Sequence, residues 1–183
     1  MLIDNEPQPN PLKMGEGSPL DKYRSFFQSF DNPVKKLGTP ATLLPIASTD
    51  RTLCNIPVEI KTLWDTGATL SFIKPKVRDQ LRLRMFRTGT PVSIIGVGGL
   101  VEADFTFVSL IFANSIALEY CTAYVVDFPG NFDMVIGMDI INMGDFSVCN
   151  ADNKTSFSFI IPPLPNRINY SEIANALNNQ KNL

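Results

Sequence analysis

The segment LWDTGATLSFI, residues 63–73, places one acidic residue, Asp65, directly after an apolar run and before three small residues. Desolvating a carboxylate is costly unless the group has a specific partner or role. Gly67 allows the backbone to turn tightly there and to approach a ligand or another chain closely. Asp65 is therefore a candidate acid–base residue. The alternative is a turn residue after a strand, which Asp-Thr-Gly also suits.

The composition narrows the chemistry that is open to this chain. It contains 183 residues and no histidine, which excludes Ser-His-Asp and Cys-His nucleophilic schemes and the commonest zinc ligand. Carboxylates would have to transfer the protons, and we predict no metal site and no cofactor. The cysteines are odd in number and lack CxxC spacing, so we interpret them as reduced core thiols: Cys54, Cys121 and Cys149.

Charge and hydropathy limit the partners and the compartment. The net charge is -2 and no long basic stripe occurs, so nucleic acid is not an expected partner. The opening MLIDNEPQPNPLKMGEGSP lacks the pattern of a secretion signal, and no apolar run is long enough to cross a bilayer. We therefore expect a cytoplasmic protein without a membrane partner.

The pattern along the chain predicts three regions. Residues 1–40 form an N-terminal extension with a short amphipathic helix in PLDKYRSFFQSF, either an accessory element or a plug of a cleft. Residues 41–162 consist of short apolar segments separated by turn residues, which is typical of strands and hairpins. Residues 163–183 form a tail that could be helical, with Asn169 or Ser171 as its cap.

Two further motifs accompany Asp65 inside the β-rich region. In DMVIGMDII an apolar strand runs into Gly137 and a short helix, and Asp139 is more simply a helix-start residue than a catalytic one. Between the two motifs, SIIGVGGLVEADF predicts a hairpin with three glycines near its tip. It is not a dinucleotide loop, because the third glycine of that motif is absent and a strand follows instead of a helix.

Together, the DTGA loop, the glycine-tipped hairpin and the VIGMD turn resemble retropepsin-like aspartic proteases. The pattern is most similar to the proteases of Ty3/gypsy retrotransposons and their free-standing bacterial relatives, over residues 41–162. The resemblance implies an all-β fold, a retropepsin-like acid-protease half-barrel with short helices and one lobe per chain.

The resemblance also assigns roles to residues. Asp65 would be the catalytic carboxylate, the Thr66 hydroxyl would tie two catalytic loops together across a two-fold axis, and the backbone of Gly67 would contact the substrate. The remaining implied residues belong to the catalytic loop, to the turn that supports it and to a substrate-covering flap: Ala68; Ile136 and Gly137; Ile95, Gly96, Val97, Gly98 and Gly99.

One departure from retroviral enzymes concerns a buried ion pair beside the catalytic loop. Its Asp and Arg are replaced here by Thr69 and Met138. Because both partners are missing together, no charge is left unpaired, which would be the costly case.

A single candidate carboxylate per chain leads to the expected assembly. Hydrolysis without a metal or histidine needs two groups in different protonation states. A homodimer with one Asp65 from each chain would supply a dyad that shares one proton, and we expect the apolar residues before Asp65 to lower the dielectric around it. The predicted function is an aspartic endopeptidase acting on peptides or proteins, in general or on one partner only. The alternative is an inactive dimerisation or peptide-binding module with the same fold.

Overall fold

The computed structural model describes residues 13–14, 22–46, 48–50, 52, 56–87, 103–113 and 116–180. Within these ranges the chain is built mainly from strands, with three helices. The strands are β1 (Lys13–Met14), β2 (Arg24–Ser29), β3 (Leu37–Pro45), β4 (Val58–Trp64), β5 (Phe72–Ile73), β6 (Phe105–Phe112), β7 (Ile116–Val125), β8 (Met134–Ile136), β9 (Asp145–Ala151) and β10 (Lys154–Ile161). The helices are α1 (Pro75–Leu81), α2 (Met138–Ile141) and α3 (Tyr170–Gln180). The predicted all-β fold with short helices is confirmed.

Six strands close into a barrel in the order β3-β4-β8-β5-β7-β6. In β6 buried and partly exposed residues alternate along the whole strand, as expected when one face points into a core. The three residues of β8 are all buried because the strand pairs with β4 on one side and β5 on the other. This central position places β8 directly beside the strand that leads to Asp65.

The remaining strands form a second sheet in the order β1-β2-β10-β9. Strand β2 occupies the segment for which the sequence predicted an amphipathic helix, so that prediction was wrong. Phe26 and Phe30 are buried while Phe27, between them, is 43% exposed. Residues four apart share a face in a strand as well as in a helix, so the spacing did not separate the two. Pairing with β10, in register from Arg24 to Ser29, decides for the strand, since an isolated short helix is only marginally stable.

This result changes the interpretation of the N-terminal region. Phe26 is a core residue and not part of a detachable accessory element. The expected boundary at residue 40 also falls inside β3. The plug hypothesis has no support in the described part of the region, because β2 is an integral strand of the second sheet.

An aromatic cluster joins the barrel to the second sheet. Trp64, at the end of β4, has ring centroids of Phe159, Phe157 and Phe112 at 5.0, 5.1 and 5.3 Å, and Phe26 at 5.9 Å. Burying such a side chain contributes about 1.5–3 kcal/mol, and favourable ring pairs add about 0.5–1.5 kcal/mol each. Residues from strands far apart in the sequence thus form one core.

The tail forms the helix that the sequence predicted, and Asn169 is its cap. The Asn169 side-chain oxygen accepts hydrogen bonds from the amides of Ser171 and Glu172 at 3.0 and 3.4 Å. The Glu172 carboxylate in turn accepts a bond from the Asn169 amide group at 2.8 Å. These local bonds satisfy amide groups that the first helical turn leaves unpaired. None of the described helices has the length and apolarity needed to span a membrane.

In strand β2 the adjacent residues Phe26 and Phe27 differ in burial, so their replacement should affect stability differently. Phe26→Ala removes a side chain that is 2% exposed and should lower the free energy of unfolding by about 3–5 kcal/mol. Phe27→Ala, its matched control on the outer face, should change it by about 0.5 kcal/mol or less. Urea unfolding of both variants measures the difference. Equal losses would contradict the strand and its register.

Candidate active site

Strand β4 is held in register by polar contacts that lie just before Asp65. The Trp64 indole N–H donates to Thr39 Oγ1 at 2.9 Å, and Thr62 Oγ1 donates to the Thr39 carbonyl at 2.8 Å. The two threonine hydroxyls are 2.9 Å apart. Because the Thr62 proton is already used, Thr39 must donate in that last bond. Thr39 and Thr62 are both buried, so the end of the strand has little freedom to shift.

A second contact fixes β4 against β8 at their other end. The Asp133 carboxylate accepts a hydrogen bond from the amide of Lys61 at 2.9 Å, and the Asp133 amide donates to the Lys61 carbonyl at 2.8 Å. Burial by itself would raise the pKa of Asp133. The hydrogen bonds from Lys76 and the Lys61 amide, together with the positive charges of Lys76 and Lys74, outweigh it, so the pKa of Asp133 lies below its usual value. An ionised Asp133 therefore helps to align the two strands.

Asp65 lies at the exposed end of the paired strands β4 and β8. Its amide donates to the Ile136 carbonyl at 3.0 Å, which extends the parallel β4–β8 pairing by one residue. Its Oδ1 accepts a hydrogen bond from the Gly67 amide at 2.9 Å, and its carbonyl accepts one from Ala68 at 3.1 Å. The loop therefore orients both the backbone and the carboxylate of Asp65.

The surroundings of Asp65 differ from those expected from the sequence. Trp64 is buried, yet Asp65, Thr66 and Gly67 are all exposed in the single chain. Trp64 packs into the core and Leu63 is half-buried, and beside these two apolar residues the carboxylate of Asp65 remains exposed. The expectation that they lower its dielectric is therefore wrong for one chain by itself.

The turn after β8, which contains Gly137, lies directly against the loop that follows Asp65. A Cβ atom at Gly137 would lie 2.4 Å from the Leu70 carbonyl oxygen and 3.0 Å from that of Ala68. The amide of Met138 donates to the Ala68 carbonyl at 2.8 Å. Only glycine permits this close approach of two backbone segments.

The side chain of Ser71 also lies in this site, and no motif in the sequence pointed to it. It is fully buried, and its hydroxyl contacts both Gly137 and Asp139. The only signal was a serine inside the apolar segment between Leu70 and Ile73. Asp139 itself lies in the first turn of α2, as predicted, and its Oδ1 accepts the Ile140 amide at 3.0 Å.

The predicted flap lies outside the described residues. This applies to all of its members: Ile95, Gly96, Val97, Gly98 and Gly99. The flap remains a prediction from the sequence.

The two described cysteines differ in burial, and the buried one is not a reactive thiol. Cys121 and Cys149 are free thiols, but only Cys121 is buried, so the core assignment was wrong for Cys149. Cys54 lies outside the described residues. Burial, with a smaller contribution from the charge of Asp139, raises the pKa of Cys121 to about 12. Its thiol is therefore protonated at neutral pH and is not a nucleophile.

A comparison with protein families agrees with the site. The aspartyl protease family model matches residues 52–140, which include the Asp65 loop and the Gly137 turn. The match confirms the resemblance to aspartic proteases over that segment. No curated protein matches the sequence.

Two solved structures are similar to the chain at low identity. One is a retropepsin-like aspartic protease from Rickettsia conorii, at 11% identity and a TM-score of 0.37, covering 70% of this chain and 98% of that one. The other is the retroviral protease-like domain of Ddi1 from Leishmania major, at 16% identity and a TM-score of 0.40, covering 68% of this chain and 95% of that one.

The two glycines of the site should respond differently to alanine. Gly137→Ala places a methyl group against backbone atoms and should lower the free energy of unfolding by about 2 kcal/mol or more. In Gly67→Ala the new methyl group meets only Asp65 Oδ1, at 3.2 Å. We expect that variant to stay within about 0.5 kcal/mol of the parent. Thermal and urea unfolding of the pair measure this; similar stabilities would contradict the role of Gly137.

Proposed function

We propose that the chain is an aspartic endopeptidase that works as a homodimer. The observation that carries the proposal is the geometry of Asp65. Strand β4, held in place by the contacts of Trp64, ends next to Asp65, whose carboxylate lies at the surface. The Gly67 amide donates to Asp65 Oδ1 at 2.9 Å and so orients the carboxylate. The match of residues 52–140 to aspartyl proteases supports this choice of reaction.

Among the residues that the structure describes, we find one suitable carboxylate on this loop. The other carboxylate bonded to it is that of Asp139, and both of its oxygens are engaged by Ser71, at 2.7 and 3.0 Å. Acid–base hydrolysis needs a second group in a different protonation state. A second copy of the chain would provide it as another Asp65, and the exposure of residues 65–67 leaves the loop accessible to such a partner.

The two Asp65 carboxylates would share one proton, because like charges at short range cannot both ionise. The ionised carboxylate takes a proton from water while the water oxygen attacks the carbonyl carbon of the peptide. The protonated carboxyl donates its proton to the carbonyl oxygen, which gives a tetrahedral diol. Collapse of the diol breaks the C–N bond, and the amine leaves with a proton from the dyad.

The other predicted residues take supporting roles in this proposal. The Thr66 hydroxyls would link the two loops across the two-fold axis, and the backbone of Gly67 would bond to an extended peptide. The segment 95–99 would cover that peptide as a flap. The substrate would be held as an added strand, the usual way in which an extended chain binds a β-sheet protein.

Peptide cleavage separates the enzyme from the inactive module. The purified protein should cleave specific bonds in a peptide library assayed from acidic to neutral pH, and Asp65→Asn should abolish all of this cleavage. Asp145→Asn is a matched control, since its carboxylate also accepts one backbone amide, that of Leu164 at 2.7 Å, but lies on β9. Stable dimers that cleave nothing at any pH would favour the binding module.

A mixing experiment tests whether the site is shared between chains. When wild-type and Asp65→Asn chains are refolded together in equal amounts, about a quarter of the dimers should be fully wild type under random pairing. Activity should fall to about that fraction of an all-wild-type sample, because a mixed dimer has lost one carboxylate. It should also fall faster than linearly on dilution, as dimers dissociate. Retention of about half the activity, with a linear dilution curve, would show that each chain carries its own complete site.

A further inference from the structure

We propose that Asp139 and Ser71 form a positioning pair that holds the Asp65 loop in its reactive geometry. The inference rests on the proposed function, since it concerns the placement of Asp65. Neither side chain needs to contact the substrate for this role. Both act through the backbone that surrounds Asp65.

The Asp139 carboxylate binds Ser71 with both of its oxygens. Oδ1 accepts the Ser71 hydroxyl at 2.7 Å, and Oδ2 accepts the Ser71 amide at 3.0 Å. Two bonds from one carboxylate to one residue fix both the backbone and the side chain of that residue. The Asp139 amide also donates to the Thr69 carbonyl at 3.2 Å, so α2 holds the segment at two places.

The direction of each hydrogen bond can be assigned. The Gly137 amide can only donate, and it donates to the Ser71 hydroxyl oxygen at 3.0 Å. The single hydroxyl proton of Ser71 is then directed to Asp139. Residue 139 must therefore be an acceptor at both of its side-chain atoms, because it faces one hydroxyl proton and one amide proton. Ser71 and Gly137 are buried, so water does not replace the bonds of the Ser71 hydroxyl and the Gly137 amide, although the Asp139 carboxylate itself is exposed.

The pair is connected to Asp65 through the backbone on both sides. Ser71 ends the loop that begins at Asp65, and Gly137 directly follows Ile136, whose carbonyl accepts the Asp65 amide at 3.0 Å. A displacement of either segment would therefore move Asp65 relative to the two-fold axis.

Asp139→Asn tests the assignment with nearly unchanged shape. The asparagine has one acceptor and one donor at its end, so it can accept either the Ser71 amide or the Ser71 hydroxyl proton but not both. If its oxygen accepts the amide, its NH2 group can donate to the hydroxyl oxygen only when the hydroxyl proton turns away and loses its acceptor. Because Asp139 lies on an exposed surface, the change leaves no buried charge unpaired, and we expect the variant to fold. Ser71→Ala removes the hydroxyl, whereas Ser71→Thr keeps it.

The experiment measures kcat and KM on a peptide that the wild type cleaves. The values of kcat are calculated from the concentration of folded protein, and each variant is assayed well below its unfolding temperature. Asp139→Asn and Ser71→Ala should each lower kcat by about a hundredfold, since a shift of about 1 Å at the reacting group has an effect of that order. KM should stay nearly constant, because the lost interaction acts in the transition state. The double variant should be no slower than the slower single variant, as expected for residues that act as a unit.

The controls separate positioning from a general structural role. Ser71→Thr should regain most of the activity that Ser71→Ala loses, and Asp145→Asn should match the wild type. Wild-type kcat in folded Asp139→Asn, or equal activities in Ser71→Ala and Ser71→Thr, would overturn the inference and leave the protease function intact. A wild-type protein that cleaves no peptide would instead overturn the proposed function and the inference with it.

Discussion

The packing of Trp64 between the barrel and the second sheet is the contact on which the rest of the structure depends. Its ring lies against phenylalanines of β2, β6 and β10, and its N–H binds Thr39. The residue therefore belongs to the hydrophobic core and to a buried hydrogen-bond network at once. Asp65 is the next residue in the chain. The packing that fixes the position of Trp64 therefore also fixes the backbone from which the Asp65 carboxylate extends.

The loop after Asp65 is held by two kinds of constraint that do different work. Gly137 allows the two backbone segments to approach, since a side chain there would meet the Leu70 carbonyl at 2.4 Å. Approach alone does not prevent the segments from sliding past each other. Their register is fixed by directed hydrogen bonds: Ser71 donates its amide and its hydroxyl to the Asp139 carboxylate, and Gly137 donates its amide to the Ser71 hydroxyl oxygen. Gly137 therefore contributes both the close approach and one directed bond, and the contact between Ser71 and Asp139 contributes two more.

How much could be predicted from the sequence depended on whether the deciding interaction was local. The helix of the tail was predictable because its Asn169 cap acts on amides two and three residues away. The state of β2 was not, because Phe26 and Phe30 fit a helix and a strand equally well, and pairing with the distant β10 decides between them. In the site, Asp65 and Gly137 were recognisable from their motifs. The contact between Ser71 and Asp139 joins residues that are 68 positions apart. A serine and an aspartate at these positions do not by themselves indicate such a contact.

The exposure of Asp65 bears on where its catalytic environment would originate. A shared proton between two carboxylates requires that they lie close together and are shielded from water. In the single chain Trp64 packs into the core, and the loop is exposed from Asp65 to Gly67. The fold therefore provides orientation but not desolvation. In the proposed dimer, desolvation would come from the partner's loop and from the bound peptide, so the carboxylates would acquire their unequal protonation only when the chains associate. An isolated chain would then carry an exposed Asp65 without a second carboxylate beside it, which would confine hydrolytic activity to the assembled dimer.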